Sequence, residues 1–70
     1  MNIDVGDTVS WKWGVGRASG TVRKRYTHKV TRKLKGTRIT RGGSDDNPAL
    51  FIEQQDGDGV LKLASEVKAH

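Results

Sequence analysis

The sequence predicts an all-β fold, and three observations carry that expectation. Nine glycines divide the 70 residues into mostly short segments. Apolar and polar residues alternate around the two tryptophans, the period-2 signature of a half-buried strand. Asp56-Gly57-Asp58-Gly59 repeats a dipeptide that tolerates the positive φ angles of tight hairpin turns.

Val9, Trp11 and Trp13 alternate with Thr8, Ser10 and Lys12 in a first strand, which Gly14-Val15-Gly16 breaks. Ser19 to Thr27 reads as a second, with Val22 and Tyr26 facing inward between basic residues. A short third strand runs from Thr37 to Arg41 around Ile39, and Gly42-Gly43 and Asn47-Pro48 mark the loop after it. Ala49 to Gln54 is the most apolar stretch, with Phe51 facing opposite to Leu50 and Ile52. Val60 to Leu63 follows across the Asp-Gly turn, and Ala64 to Val67 forms one closing helical turn. Five short strands with Gly-rich turns point to a small SH3-like barrel, because closing a sheet removes its exposed edges.

Residues 22–35 admit a second reading. Val22, Tyr26, Val30 and Leu34 recur every four residues, as on one face of a basic amphipathic helix. Against it, Thr27, Val30 and Thr31 are β-branched, and Lys or Arg at 25, 29 and 33 would repel across successive turns. Strand is the expected state.

A chain of this size has room for one thin core, so a single domain over residues 1–70 is expected, its core spanning about 5–67. With no cysteine there are no disulfide staples, thiolate metal sites or thiol nucleophiles. Met1-Asn2-Ile3-Asp4 lacks the pattern of a secretory signal. The longest apolar run, Ala49 to Ile52, is far too short to span a bilayer. A cytoplasmic setting without membrane contact is therefore expected. The net charge of +5 conceals a sharper division: residues 12–41 hold eleven Lys or Arg and no acid, whereas residues 42–70 hold six acids against Lys62 and Lys68. Gathered on one side, the first segment would form a face for a polyanion.

The order and spacing of several pieces resemble the small bacterial and fungal family known as the hypervirulence-associated Tudor domain. The pieces are Val5-Gly6-Asp7-Thr8-Val9-Ser10-Trp11, Gly16-Arg17-Ala18-Ser19-Gly20-Thr21-Val22, Lys33-Leu34-Lys35-Gly36 and Ser44-Asp45-Asp46-Asn47-Pro48-Ala49. They continue in Ile52-Glu53-Gln54-Gln55-Asp56-Gly57-Asp58, Val60-Leu61-Lys62 and Ser65-Glu66-Val67, so the resemblance runs from Val5 to Val67. It implies a Tudor or SH3-like barrel and no established activity. Leu50 and Ala64 stand where the resemblance implies a Tyr and a His.

The basic run is the leading candidate for a site. Arg23, Arg25, Lys29, Arg32, Lys33 and Arg38 are expected to meet phosphates of DNA or RNA, with Tyr26 as a stacking surface and little sequence preference. A solvated face that keeps a small domain soluble is the plainer explanation. The alternative is a protein-interaction module that takes a peptide along a sheet edge or in an aromatic groove formed by Trp13, Tyr26 and Phe51. A cage for a methylated cation would need about three convergent rings, and core packing accounts for Trp11 or Trp13 equally well. A self-associating structural domain is a third possibility.

Catalysis is not expected. Gly14, Gly16 and Gly20 have the wrong spacing for a dinucleotide fingerprint. Asp56 and Asp58 lack the remaining ligands of a calcium loop. Asp45-Asp46 reads as turn chemistry before Asn47-Pro48. His28 has no acid beside it in sequence, and His70 reads as a mobile end. Neither a cofactor nor a metal is called for.

Overall fold

The computed structural model describes residues 3–69, so the reading of His70 lies outside it. Seven strands and one 3₁₀ turn follow in order. They are β1 (Thr8–Trp13), β2 (Gly16–Tyr26), β3 (Lys29–Leu34), β4 (Thr37–Gly42), β5 (Ala49–Gln54) and β6 (Gly59–Leu63), then the turn Ala64–Glu66 and β7 (Lys68–Ala69). All ladders are antiparallel. Five strands form one sheet in the order β6-β5-β2-β1-β7, and β3 and β4 pair only with each other.

The all-β expectation holds, but with seven strands in two sheets instead of five strands in one. No ladder among the described residues closes the sheet into a barrel. The segment read either as helix or as strand is divided between the end of β2 and the whole of β3, with a bend at Thr27 and His28. Its β-branched residues and its like charges four apart favour that outcome.

The larger sheet cannot be flat. Its outer strands β6 and β7 lie four interstrand gaps apart, about 19 Å if the sheet were planar. Only the 3₁₀ turn and its flanking residues link Leu63 to Lys68, a reach of about 14 Å. The sheet must therefore curl around its contents. These are Val9 and Trp11 from β1, Val22 from β2, Leu50 and Ile52 from β5, with Ile3, Ala64 and Val67 closing the ends. Register explains the selection: Val22 faces Ile52, and Ile52 faces Val60, so one side of three adjacent strands is continuously apolar.

A β-bulge interrupts that register. Val22 pairs with Ile52 but Lys24 pairs with Phe51, which leaves Arg23 as an extra residue on β2. Every side chain beyond it changes phase. Tyr26, expected to point inward with Val22, instead shares the outer face with Lys24 and Phe51.

The β3–β4 hairpin packs over that outer face. Its inward residues Val30, Arg32, Leu34, Ile39 and Arg41 are half-buried, and its outward residues Lys29, Thr31, Lys33, Arg38 and Thr40 are exposed. At its base the chain passes so close to the main sheet that a Cβ on Gly43 would lie 2.4 Å from the Tyr26 carbonyl oxygen. Only glycine fits there. At its tip, Lys35 (φ 51°) and Gly36 (φ 78°) form a two-residue turn with both φ angles positive, the pattern of a type I′ turn.

The β5–β6 connection is the expected hairpin. Gly57 (φ 91°) donates to Gln54 O at 2.9 Å, and Gln54 N donates to Asp58 O at 2.8 Å. This is a three-residue loop with a glycine bulge. Between β4 and β5, Asn47 fastens the loop to the 3₁₀ turn. Its Oδ1 accepts from Ser65 N at 2.8 Å and its Nδ2 donates to Ser65 Oγ at 3.0 Å.

Candidate functional site

The structure sorts the eleven cations of residues 12–41 into two groups. Five are engaged with neighbours. Arg23, on the bulge, pairs with Glu53 of β5 at 2.8 Å. Arg32 places its guanidinium 3.9 Å from the centre of the Phe51 ring and donates to Tyr26 Oη at 3.1 Å. Lys35 pairs with Asp58 at 2.7 Å, Arg41 with Glu66 at 3.3 Å, and Arg17 donates to Ser10 Oγ at 2.8 Å. The bond to the Asp58 carboxylate holds the Lys35 ammonium above its ordinary value of 10.5, and the charge of Asp58 adds to this.

Lys12, Lys24, Arg25, Lys29, Lys33 and Arg38 are exposed and form no ion pair among the described residues. Three of them share one flat surface. Strand alternation puts Lys29, Thr31 and Lys33 of β3 on the outward side of the hairpin, and register sets Arg38 opposite Lys33 and Thr40 opposite Thr31. The two threonine hydroxyls hydrogen-bond each other at 2.8 Å in the middle of that surface. No acid lies on either strand. Arg25 stands exposed near the end of β2, opposite Leu50 in register.

Of the seven residues expected to contact nucleic acid, Arg25, Lys29, Lys33 and Arg38 are thus available. Arg23 and Arg32 are tied to the fold. Tyr26 is half-buried, bonded to Arg32 and set edge-on to His28 with ring centroids 5.8 Å apart.

The aromatic residues are dispersed. Trp11 is 4 % exposed and belongs to the core, whereas Trp13, two residues on along the same face, is 72 % exposed. At Trp13 only the β1–β2 ladder continues, since β7 pairs with β1 no farther than Ser10 and β5 with β2 only from Gly20 onward, so nothing covers its ring. Trp13 and Trp11 line an open groove of about 460 Å³ together with Ala18, Leu34, Ile39 and Val60. Lys35, Asp56 and Asp58 stand at its margin. Phe51 lies elsewhere, beneath Arg32 and against the backbone of Gly59, where an added Cβ would meet its ring at 2.5 Å. Trp13, Tyr26 and Phe51 therefore do not converge into one groove. Leu34 and Ile39 are walls that the sequence reading did not place in this groove: strand was expected at both positions, but not their pairing in one hairpin that turns both side chains inward.

Leu50 and Ala64, where the resemblance implies Tyr and His, are both wholly buried. The two departures alter core packing, not an exposed surface.

No helix among the described residues is long and apolar enough to cross a membrane. No curated protein and no solved structure matches the chain. Residues 6–67 match the family described as "Hypervirulence associated proteins TUDOR domain". That span covers nearly the whole chain, and the protein belongs to this family of Tudor-type domains, a membership that supports a small binding module.

Proposed function

We propose that this protein is a non-catalytic module that contacts nucleic acid through the outward face of the β3–β4 hairpin. One observation carries the reading: Lys29, Lys33 and Arg38 stand exposed, without an ion pair among the described residues, on a single acid-free surface with two hydroxyls between them. Ammonium, guanidinium and hydroxyl groups all donate to phosphate oxygens, and such contacts position a nucleic acid without reading its sequence. The cations that hold the fold together are a different set, so this one is free to release its counterions to a ligand. Arg25, paired with Leu50 in register, projects from the other side of β2 and is not part of this surface. Membership of a TUDOR family and the curl of the larger sheet support describing the whole as a single SH3-like barrel left open along one side. A cytoplasmic setting, where nucleic acid is at hand, accords with this reading.

Fluorescence anisotropy with a labelled duplex tests it. Three phosphate contacts give a log–log salt slope of about −2.7, so affinity should fall roughly fortyfold between about 50 and 200 mM salt. The dissociation constant at physiological salt is expected at about 10⁻⁴ to 10⁻⁶ M. Lys33→Glu with Arg38→Glu should abolish binding while leaving the melting temperature unchanged. Absence of binding at the lower salt would dismiss the reading.

The exposure of Trp13 beside an apolar groove favours a second reading, a peptide site. It predicts a ligand whose binding survives the paired charge reversal, ignores salt and is lost on Trp13→Ala.

A further inference from the structure

We infer that the nucleic acid taken by this face is a B-form duplex, held by its phosphates, and not a single strand. The inference rests on the reading just given and adds the class of partner.

The first argument concerns rings. Proteins that hold single strands combine a charged groove with aromatic faces on which bases stack, each stacked base contributing about 1–3 kcal/mol. The outward face of the hairpin has neither. Its residues are Lys29, Thr31, Lys33, Arg38 and Thr40, with Gly42 at the edge, and none carries a ring. Tyr26 is bonded to Arg32, Phe51 lies under the same guanidinium, and Trp13 belongs to the groove that the opposite, inward side of the hairpin lines. A single strand lying on Lys29 and Lys33 would leave its bases in water.

The second argument concerns spacing and charge. Lys29 and Lys33 are four residues apart on one strand, hence separated by about 13 Å along the ribbon. Arg38 lies directly across from Lys33, about 5 Å away. The ribbon therefore presents one cation at one end, two at the other and the Thr31–Thr40 pair between them. The major groove of B-DNA is about 12 Å wide and admits a two-stranded ribbon. Laid across it, the two ends meet phosphates on opposite margins. A duplex also carries one charge per about 1.7 Å of axis, far denser than a single strand, so the three cations release more counterions from it. The threonines hydrogen-bond each other and offer no two-pronged donor for a base edge, so little sequence preference is expected.

The test compares three labelled probes of equal length with the intact protein at about 100 mM salt: a DNA duplex, one of its strands, and an RNA duplex of the same sequence. The DNA duplex should bind at least tenfold more tightly than either of the others. Lys29→Gln should weaken it and flatten its salt slope by about 0.9. Trp13→Ala should change nothing. Single-strand binding equal to or tighter than duplex binding overturns the inference and leaves the nucleic-acid reading standing. A preference for the RNA duplex overturns the fit to a B-form groove. Duplex binding that survives Lys33→Glu with Arg38→Glu removes it from this face. Failure of all three probes removes both the inference and the reading beneath it.

Discussion

The two sheets of this molecule are held by different forces. The curled five-stranded sheet encloses an apolar interior in which Val9, Val22, Leu50 and Ile52 have no exposed surface. The β3–β4 hairpin has no interior of its own. It is fastened at its base by the close approach at Gly43, at mid-length by Arg32 on Phe51, and at its tip by Lys35 on Asp58. A strand in the first region has one face committed to the core. In the second, the outward face supports nothing beneath it, so charge can accumulate there without cost to folding. That division separates the residues that make the protein from those offered to a partner.

Substitutions can break or sharpen the contrast. The largest loss is expected from Leu50→Ala, which empties a fully enclosed site and should lower unfolding free energy by about 2–5 kcal/mol in chemical denaturation. Gly43→Ala comes next. Its methyl group would press on three backbone atoms within 2.9 Å, and the base of the hairpin must shift, at about 1–3 kcal/mol. Hydrogen exchange should show the loss concentrated in β3 and β4. Equal loosening of β1 and β2 would mean that the two regions unfold as one.

Arg32→Leu separates them more gently. It removes the cation from Phe51 and the donor from Tyr26 Oη, with an expected cost of about 1 kcal/mol and faster exchange in the hairpin alone. The smallest effect is that of the exposed tip pair. The folded Lys35 ammonium titrates above 10.5, so its contribution is complete below that pH and is lost as pH rises through the elevated value. Thermal melts should therefore be insensitive to Lys35→Met near neutrality beyond a small constant offset, and the wild type should converge on the variant in strong alkali. A difference that persisted there would assign the effect to the turn backbone.

Much of this was legible in the residues. The alternation around Trp11, the apolar run at Ala49 and the Asp-Gly turn located β1, β5 and β6, and the charge count located the basic segment. Residues 22–35 were legible as strand, but β3 was not separable from β2, because Arg32 occupies an inward position between Val30 and Leu34 and the segment alternates in side-chain direction but not in polarity. The face of Tyr26 was illegible because a bulge leaves no mark on composition. Which cations are free depended on partners such as Glu53, thirty residues from Arg23, that no local pattern connects. The exposure of Trp13 depended on where the core ends, which is a property of the assembled sheet.

The bulge at Arg23 has a bearing on how this chain tolerates changes of length. Removing one residue elsewhere in β2 would turn every side chain beyond it to the opposite side, carrying charge inward and Val22 or its neighbours out. Removing Arg23 would not. Val22 would still meet Ile52, Lys24 would still meet Phe51, and an uninterrupted ladder would join them, at the loss of one ion pair on the surface. Within β2, a one-residue deletion should therefore survive at this point and fail on either side of it.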